Sequence, residues 1–285
     1  MQNNQRFRSL GLLVAGALLS QAALGAEPAS ATAELRGCVR ASGPLPAGLK
    51  AVAIAVTQTP PEQHPLPFNG ACYAATLPKG IYLVRADAPG LVGKAPLVQL
   101  NAPAQRDLKL IPEKGSNPAL ADRLAELARA DQDARQNIDL ANPAAIKKMI
   151  ETDKQNQKEL RRILETYGWP DAELVGYAGA HHAWLLVQHA PDQVIKRLLP
   201  AMKAAAERGD LYAGNVALNI DRVLVSEGKK QLYGSQFRQT QSGGLQVQPI
   251  EDPKHLDERR AKMGMEPFAQ YRAMVMQANQ APKQR

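Results

Sequence analysis

Between residues 33 and 112 apolar and polar residues alternate with a period of two. The segments AELRGCVRA (33–41), AVAIAVTQT (51–59), ACYAATLP (71–78), GIYLVRADA (80–88), APLVQL (95–100) and RDLKLIP (106–112) each read as a strand. Between them lie SGPLPAG, PPEQHPLPFNG, PKG, PGLVGK and NAPAQ, whose Pro, Gly and Asn content predicts turns. Six or seven short strands punctuated in this way predict an antiparallel β-sandwich, with Tyr82, Val84 and Ala86 on one inward face.

From Ser116 the period becomes helical. Ser116-Asn117-Pro118 supplies a cap and a first-turn proline, and Leu120, Leu124, Leu127, Ala128, Ala134 and Ile138 form one stripe. Asn142-Pro143 opens a second helix, striped by Ile146, Met149, Ile150, Leu160, Ile163 and Leu164 and stopped at Gly168. Further helices are expected over 178–190, from Pro191 to Gly209, and over 213–226. QLYGSQFRQTQSGGLQVQPI (231–250) reads as a polar hairpin turning at SGG. Asp252-Pro253 caps another helix ending near Gly264, and a last one starts near Pro267. The fold class is therefore α+β by separate domains: a β-sandwich over 33–112, a linker over 113–119, a mainly α-helical domain with one β-hairpin over 120–278, and a frayed tail over 279–285. No internal repeat is present.

The first residues follow a different logic. MQNNQRFRS carries Arg6 and Arg8 without an acid, Leu10 to Leu19 is an apolar run too short to span a bilayer comfortably, and QAALGA ends it with small residues. Residues 1–26 therefore read as a secretory signal peptide cleaved after Ala26, with Gly25 as second choice. Cys38 lies too far beyond the apolar run for a lipoprotein signal. The expected protein is exported, periplasmic or secreted, with no transmembrane segment after cleavage.

Cleavage removes two Arg and no acid, lowering the formal net charge from +8 to +6. That mild, dispersed basicity and the scarcity of aromatics, with 4 Phe and 2 Trp, argue against a nucleic-acid partner. Two Cys cannot build a zinc module or a disulfide-dense scaffold. In an exported chain Cys38 and Cys72 read as a structural disulfide, stabilising by roughly 3–4 kcal/mol through loop closure. The rival is a reactive thiol, which lacks a CxxC motif or a nearby His or Lys cluster. The spacing of His181, His182 and His189 is no metal-site spacing and no HExxH occurs, so neither metal nor cofactor is expected.

Several words carry resemblances. Gly37 and Val39, then Leu77, Pro78, Gly80, Tyr82 and Val84, match the G-x-V and L-P-x-G-x-Y-x-[VL] patterns of a transthyretin-like, carboxypeptidase-regulatory sandwich, which implies a spacer or adhesive platform without chemistry. DQDAR (131–135), GWP (168–170), HHAWLLVQHA (181–190), DR (221–222) and QLYGSQF (231–237) occur in the order seen in an uncharacterised bacterial domain-of-unknown-function family, with Ser235 where that family has Thr. The resemblance covers about 125–272 and supplies positions without a mechanism.

Those positions are the candidate site. His189 closes an apolar helix and is a candidate general acid or base, a ligand group or a bonded core residue. Asp131 and Arg135 form an i, i+4 pair that is either a surface ion pair or an anion holder kept in place by Asp131. Asp221-Arg222 interrupts the apolar run ALNIDRVLV and must be paired or face a cleft. Gln188, Tyr233 and Gln236 complete a proposed polar pocket, with His189, Asp131 and Asp221 as catalytic candidates and Arg135, Gln188, Arg222, Tyr233 and Gln236 as binding candidates. Trp169 and Trp184 read as core, and Arg259 and Arg260 as a solvated helix face. Three functions compete. The chain is a ligand-binding or interaction protein recognising an unknown small molecule or envelope component, a hydrolase or transferase using His189 as acid or base, or a structural envelope protein. N-terminal sequencing of the exported form is expected to begin at Glu27, and retention of Met1 would refute the signal segment.

Overall fold

A computed structural model describes residues 32–58, 60–136, 142–240 and 244–280. The expected signal segment, Ile138 of the first helical stripe, Ser242 and Gly243 of the expected hairpin turn, and the last five residues of the tail lie outside the described residues.

The strands are β1 (Thr32–Arg40), β2 (Lys50–Ala55), β3 (Glu62–Leu66), β4 (Phe68–Asn69), β5 (Cys72–Pro78), β6 (Gly80–Ala88), β7 (Leu91–Lys94), β8 (Val98–Leu100), β9 (Ala104–Gln105), β10 (Leu108–Lys109) and β11 (Ile111–Pro112). They form two sheets. One runs β10-β1-β5-β4 with β9 also on β1, and the other runs β11-β7-β6-β2-β3 with β8 also on β6. The period-two pattern decides what lies between them: Leu35, Val39, Ala53, Tyr82, Val84, Ala86, Leu100 and Leu108 share one buried core. Most pairings are antiparallel, but β9 and β10 lie parallel to β1. Three stretches expected as turns contain strands instead. PPEQHPLPFNG holds β3 and β4, PGLVGK holds β7, and NAPAQ ends in β9. Pro65 is tolerated in β3 because that strand is the last of its sheet, where a missing N–H breaks no ladder.

The register of β1 on β5 sets Cys38 directly opposite Cys72, and the two form a disulfide. The residues behind the sandwich resemblance work as a steric unit. The Tyr82 hydroxyl donates to the Pro78 carbonyl (2.8 Å) across the PKG turn. A Cβ at Gly37 would run into the Arg106 carbonyl, which already accepts from the Tyr73 hydroxyl.

The helices are α1 (Pro118–Asp133), α2 (Pro143–Tyr167), α3 (Ala172–Val187), α4 (Asp192–Arg208), α5 (Ala213–Ser226), α6 (Leu256–Lys262) and α7 (Phe268–Gln280), with a 3-10 turn at Pro253–His255. Side-chain oxygens cap three of them: Asn117 accepts from the Leu120 N–H and Asn142 from Ala144, both at starts read from the sequence, and Asp171 accepts from Leu174 at a start that the sequence reading missed. Leu124, Leu160, Leu186, Ile195, Met202 and Val216 pack into their common core. The expected hairpin is shorter than its sequence word. Only β12 (Phe237–Gln239) and β13 (Leu245–Val247) pair.

The third helix starts at Ala172 rather than at 178, because it is broken at Gly176 (φ 70°, ψ 168°). Segment 113–117 causes the break. A Cβ at Gly176 would strike the Glu113 carbonyl, while Ser116 N donates to Glu173 O (2.9 Å) and Asn117 N to Leu174 O (2.8 Å). The connecting segment thus takes up carbonyls that the kink releases. Val92 and Ile111 from the sheets join Ala172 and Tyr177 in a small shared cluster, and the Tyr177 hydroxyl accepts from Lys94 N (3.1 Å).

Only glycine tolerates both the positive φ and the contact with Glu113. Gly176→Ala is expected to lower unfolding stability by about 2–4 kcal/mol in urea titration. Gly168→Ala, also at positive φ but with open space around it, is the control and is expected to cost about 1 kcal/mol.

Candidate functional site

Helical periodicity explains why a carboxylate is buried at the end of α1. Leu124, Leu127, Ala128 and Asp131 fall on its inward face, so Asp131 is carried into the core at 1 % exposure. A buried carboxylate needs partners. Arg135, one turn on, donates from Nη1 to Asp131 Oδ1 (2.9 Å) and to the Asp131 carbonyl (3.0 Å). Its Nη2 reaches Asp153 Oδ1 on α2 (2.6 Å). Gln132 Nε2 donates to Asp131 Oδ2 (2.8 Å). His189, just past the end of α3, brings Nε2 to 3.5 Å from the same Oδ2. At that separation the pair makes a Coulomb contact rather than a well-formed hydrogen bond.

Burial raises the Asp131 carboxyl to about 6, with Asp153 adding to the rise and Arg135 and Gln132 opposing it. Burial likewise pushes the His189 imidazole down to about 3, helped by the Arg135 and Arg222 guanidiniums. At neutral pH a carboxylate therefore faces a neutral imidazole. The side chain of His189 keeps 12 % exposure, yet its Nε2 and the neighbouring Gln188 Nε2 are buried and have no hydrogen-bond partner among the described residues.

The arginine of the DR word reaches this corner through backbone. Arg222 Nε pairs with Asp192 Oδ1 (2.8 Å), Nη2 donates to Ala190 O (3.0 Å), and Nη1 donates to Gln188 O. It thereby holds the carbonyls on either side of His189 and staples the end of α3 to the start of α4.

Asp221 faces elsewhere. Consecutive residues on a helix point about 100° apart, and the Asp221 carboxylate accepts from the N–H groups of Leu232 (2.7 Å), Tyr233 (3.0 Å) and Ser235 (2.9 Å) and from the Ser235 hydroxyl (2.9 Å). QLYGSQ is accordingly a loop wound on Asp221 and not an arm of the expected hairpin. The fully buried Gln231 ties its ends together, donating to Gln236 O (3.0 Å) and Gln248 O (2.9 Å) and accepting from Gln236 N (2.8 Å). Gln236 Nε2 in turn reaches Ser235 Oγ (3.1 Å). Tyr233 enters this network through its backbone.

The eight candidate residues are thus sorted into two hydrogen-bond networks. Asp131, Arg135, Gln188, His189 and Arg222 gather at the ends of α1 and α3, and Asp221, Tyr233 and Gln236 gather under the loop. Arg259 and Arg260 are not a solvated face. Arg260 is fully buried, donating from Nη1 to Tyr233 O (2.6 Å) and from Nε to Glu266 O (2.7 Å), with its guanidinium 4.8 Å from the Tyr271 ring centroid. Arg259 Nε donates to Leu232 O (2.9 Å). The loop carbonyls need donors, and these arginines supply them. Leu256, buried four residues before Arg260, was the available signal of an inward face. Gln132 and Asp153 also join the first network unanticipated. Asp153 continues the row of Met149 and Ile150 on α2. Trp184 is core, its indole N–H donating to Asn219 Oδ1 (2.7 Å). Among the described residues no group of three or more His, Cys, Asp or Glu could hold a metal ion, and no helix is long and apolar enough to cross a membrane.

Residues 118–281, more than half of the chain, match the family of unknown function DUF6624. No curated protein matches. Among solved structures, a DUF3823 family protein from Parabacteroides merdae matches at 14% identity and a TM-score of 0.25, covering 30% of this chain and 48% of that one. The chain therefore spans about half the length of that protein.

The Asp131–His189 pair has a pH signature. Between about 3 and the unperturbed 6.5, His189 is neutral in the fold and protonated when unfolded, so its contribution to stability rises with pH across that window. Asp131 acts oppositely between 3.8 and about 6, where the fold binds the extra proton. His189→Gln is expected to remove the rise and leave a profile that declines from pH 4 to 6, read by urea unfolding at each pH. An unchanged profile would contradict the buried neutral imidazole.

Proposed function

Since the chain belongs to DUF6624, a family of unknown function, its own side chains must carry the reading. We propose that it is an exported, extracytoplasmic ligand-binding protein. In this reading the helical domain recognises a small polar molecule where α1 meets the end of α3. The observation that carries the proposal is the pair of buried, unpartnered polar atoms on consecutive residues, Gln188 Nε2 and His189 Nε2. Folded proteins leave few such atoms unpaired, because each costs about 1–3 kcal/mol. Two side by side, next to the Asp131–Arg135–Asp153 network, are groups that await a partner from outside. Gln188 offers amide N–H donors, which suits a ligand bearing a carbonyl or another hydrogen-bond acceptor. The disulfide between Cys38 and Cys72 fits an oxidising compartment. The sheets would then serve as a platform for the helical domain.

A second reading makes His189 a general base oriented by Asp131, which the 3.5 Å approach favours. The electrostatics weigh against it. An imidazole held near pKa 3, beside two arginines, accepts a proton poorly at neutral pH. Binding is therefore the stronger reading.

A screen of small polar molecules by thermal unfolding tests this. A ligand at a hundred times its Kd stabilises by about 2.7 kcal/mol, enough to raise Tm by several degrees. His189→Ala is expected to fold nearly as well as the parent and to lose that rise. If His189→Ala lowers stability by about 2–4 kcal/mol while keeping the ligand-induced rise, His189 is a core histidine and the proposal fails.

A further inference from the structure

The sheets and the helical domain line a partly open cavity of about 110 Å³ between them, remote in its partners from the network around His189. Lys94, at the end of β7, lines it from the sheet side. Its ammonium lies 4.9 Å from the Tyr177 ring centroid, and among the described residues no carboxylate or hydrogen-bond acceptor pairs with it. Lys94 is half-buried, and an ammonium over an aromatic ring gains further from a counter-charge. Burial and the nearby Arg85 hold its pKa below the usual lysine value, with Asp87 opposing. The cavity's own carboxylate, Asp210, is already taken by Arg208 (2.8 Å).

The opposite wall carries His181 on α3. Its ring stacks on Trp184 with centroids 5.3 Å apart, and its Nδ1 lies 3.3 Å from Asn215 Nδ2. In the tautomer that accepts the Asn215 amide at Nδ1, the ring proton sits on Nε2. An ammonium and an imidazole thus line one small space. The remaining lining includes Leu97 and Leu211 beside Asp210 and Tyr212. The volume equals that of about four liquid waters, which limits an occupant to a few heavy atoms.

We propose that this interdomain cavity binds a short-chain aliphatic carboxylate, its carboxylate between Lys94 and His181 and its alkyl tail against Leu97 and Leu211. Such a ligand supplies the charge that Lys94 lacks and fills apolar space with apolar atoms. It also touches both parts of the chain, so its binding ties the sheets to the helices.

Propionate is the probe. Titrated into the full-length exported protein, it is expected to shift the imidazole nitrogen resonances of His181 saturably and to bind at least tenfold more tightly than propionamide, its neutral isostere. Lys94→Met, checked for folding by circular dichroism, is expected to lose binding at least tenfold. The propionate-over-propionamide comparison on the unaltered protein stands even if that variant fails to fold. Equal binding of the acid and the amide, or propionate binding that survives Lys94→Met, would overturn the site. Inorganic phosphate binding as tightly as propionate would overturn the assignment to an aliphatic acid. Absence of any shift up to tens of millimolar propionate would overturn the proposal entirely.

Discussion

The helical domain depends on one dipeptide, Asp221-Arg222, placed in the middle of the apolar helix α5. Neither charge can be left unpaired there, because an uncompensated buried ion costs several kcal/mol. The two adjacent side chains point in different directions, so their requirements are met by different parts of the chain. Asp221 collects backbone N–H groups from 232–235 and turns that polar segment into a fixed loop. Arg222 collects the carbonyls at 188 and 190 and fixes the α3–α4 junction. A single turn of α5 therefore organises both the support of α6 and α7 and the surroundings of His189.

Each anchored segment passes the constraint onward. Once the loop 231–236 is wound on Asp221, its carbonyls face inward and draw Arg259 and Arg260 into the structure, with Tyr271 and Phe268 stacked about Arg260. On the other side, the stapled junction holds His189 against Asp131, which Arg135 and Asp153 already surround. The network wound on Asp221 is close to saturated, with Arg260 Nη2 the buried side-chain atom there that lacks a hydrogen-bond partner among the described residues. The network around Asp131 is less complete, since Gln188 and His189 retain unpaired atoms. That asymmetry separates a structural knot from a candidate binding site, although both are built from the same polar residue types.

The two halves of the chain are joined by interlocked backbone rather than by a loose tether. Segment 113–117 lies in the kink at Gly176 and takes the carbonyls of Glu173 and Leu174. The contact between sheets and helices is thereby set, as is the cavity bounded by Lys94 and His181. Burying these backbone groups is tolerable only because each finds a hydrogen-bond partner.

Local rules sufficed for much of this protein. Alternation placed Tyr82, Val84 and Ala86 inside the sandwich, and it put Cys38 and Cys72 in strands that pair. Caps at Asn117 and Asn142, with Gly168 and Gly209 as stops, marked several helix ends within a few residues, because capping and periodicity act over a single turn. Strand β3 escaped because its Pro65 reads as a turn until the strand is known to lie at a sheet edge. The kink at Gly176 escaped because its cause, Glu113, is distant in sequence. Among site residues, the pairing of Asp131 with Arg135 was legible at four-residue spacing. That His189 joins them, that Asp221 turns away from Arg222's partners, and that Arg260 is buried were decided only by packing. Direction and burial depend on which elements meet, and no window along the chain contains that information.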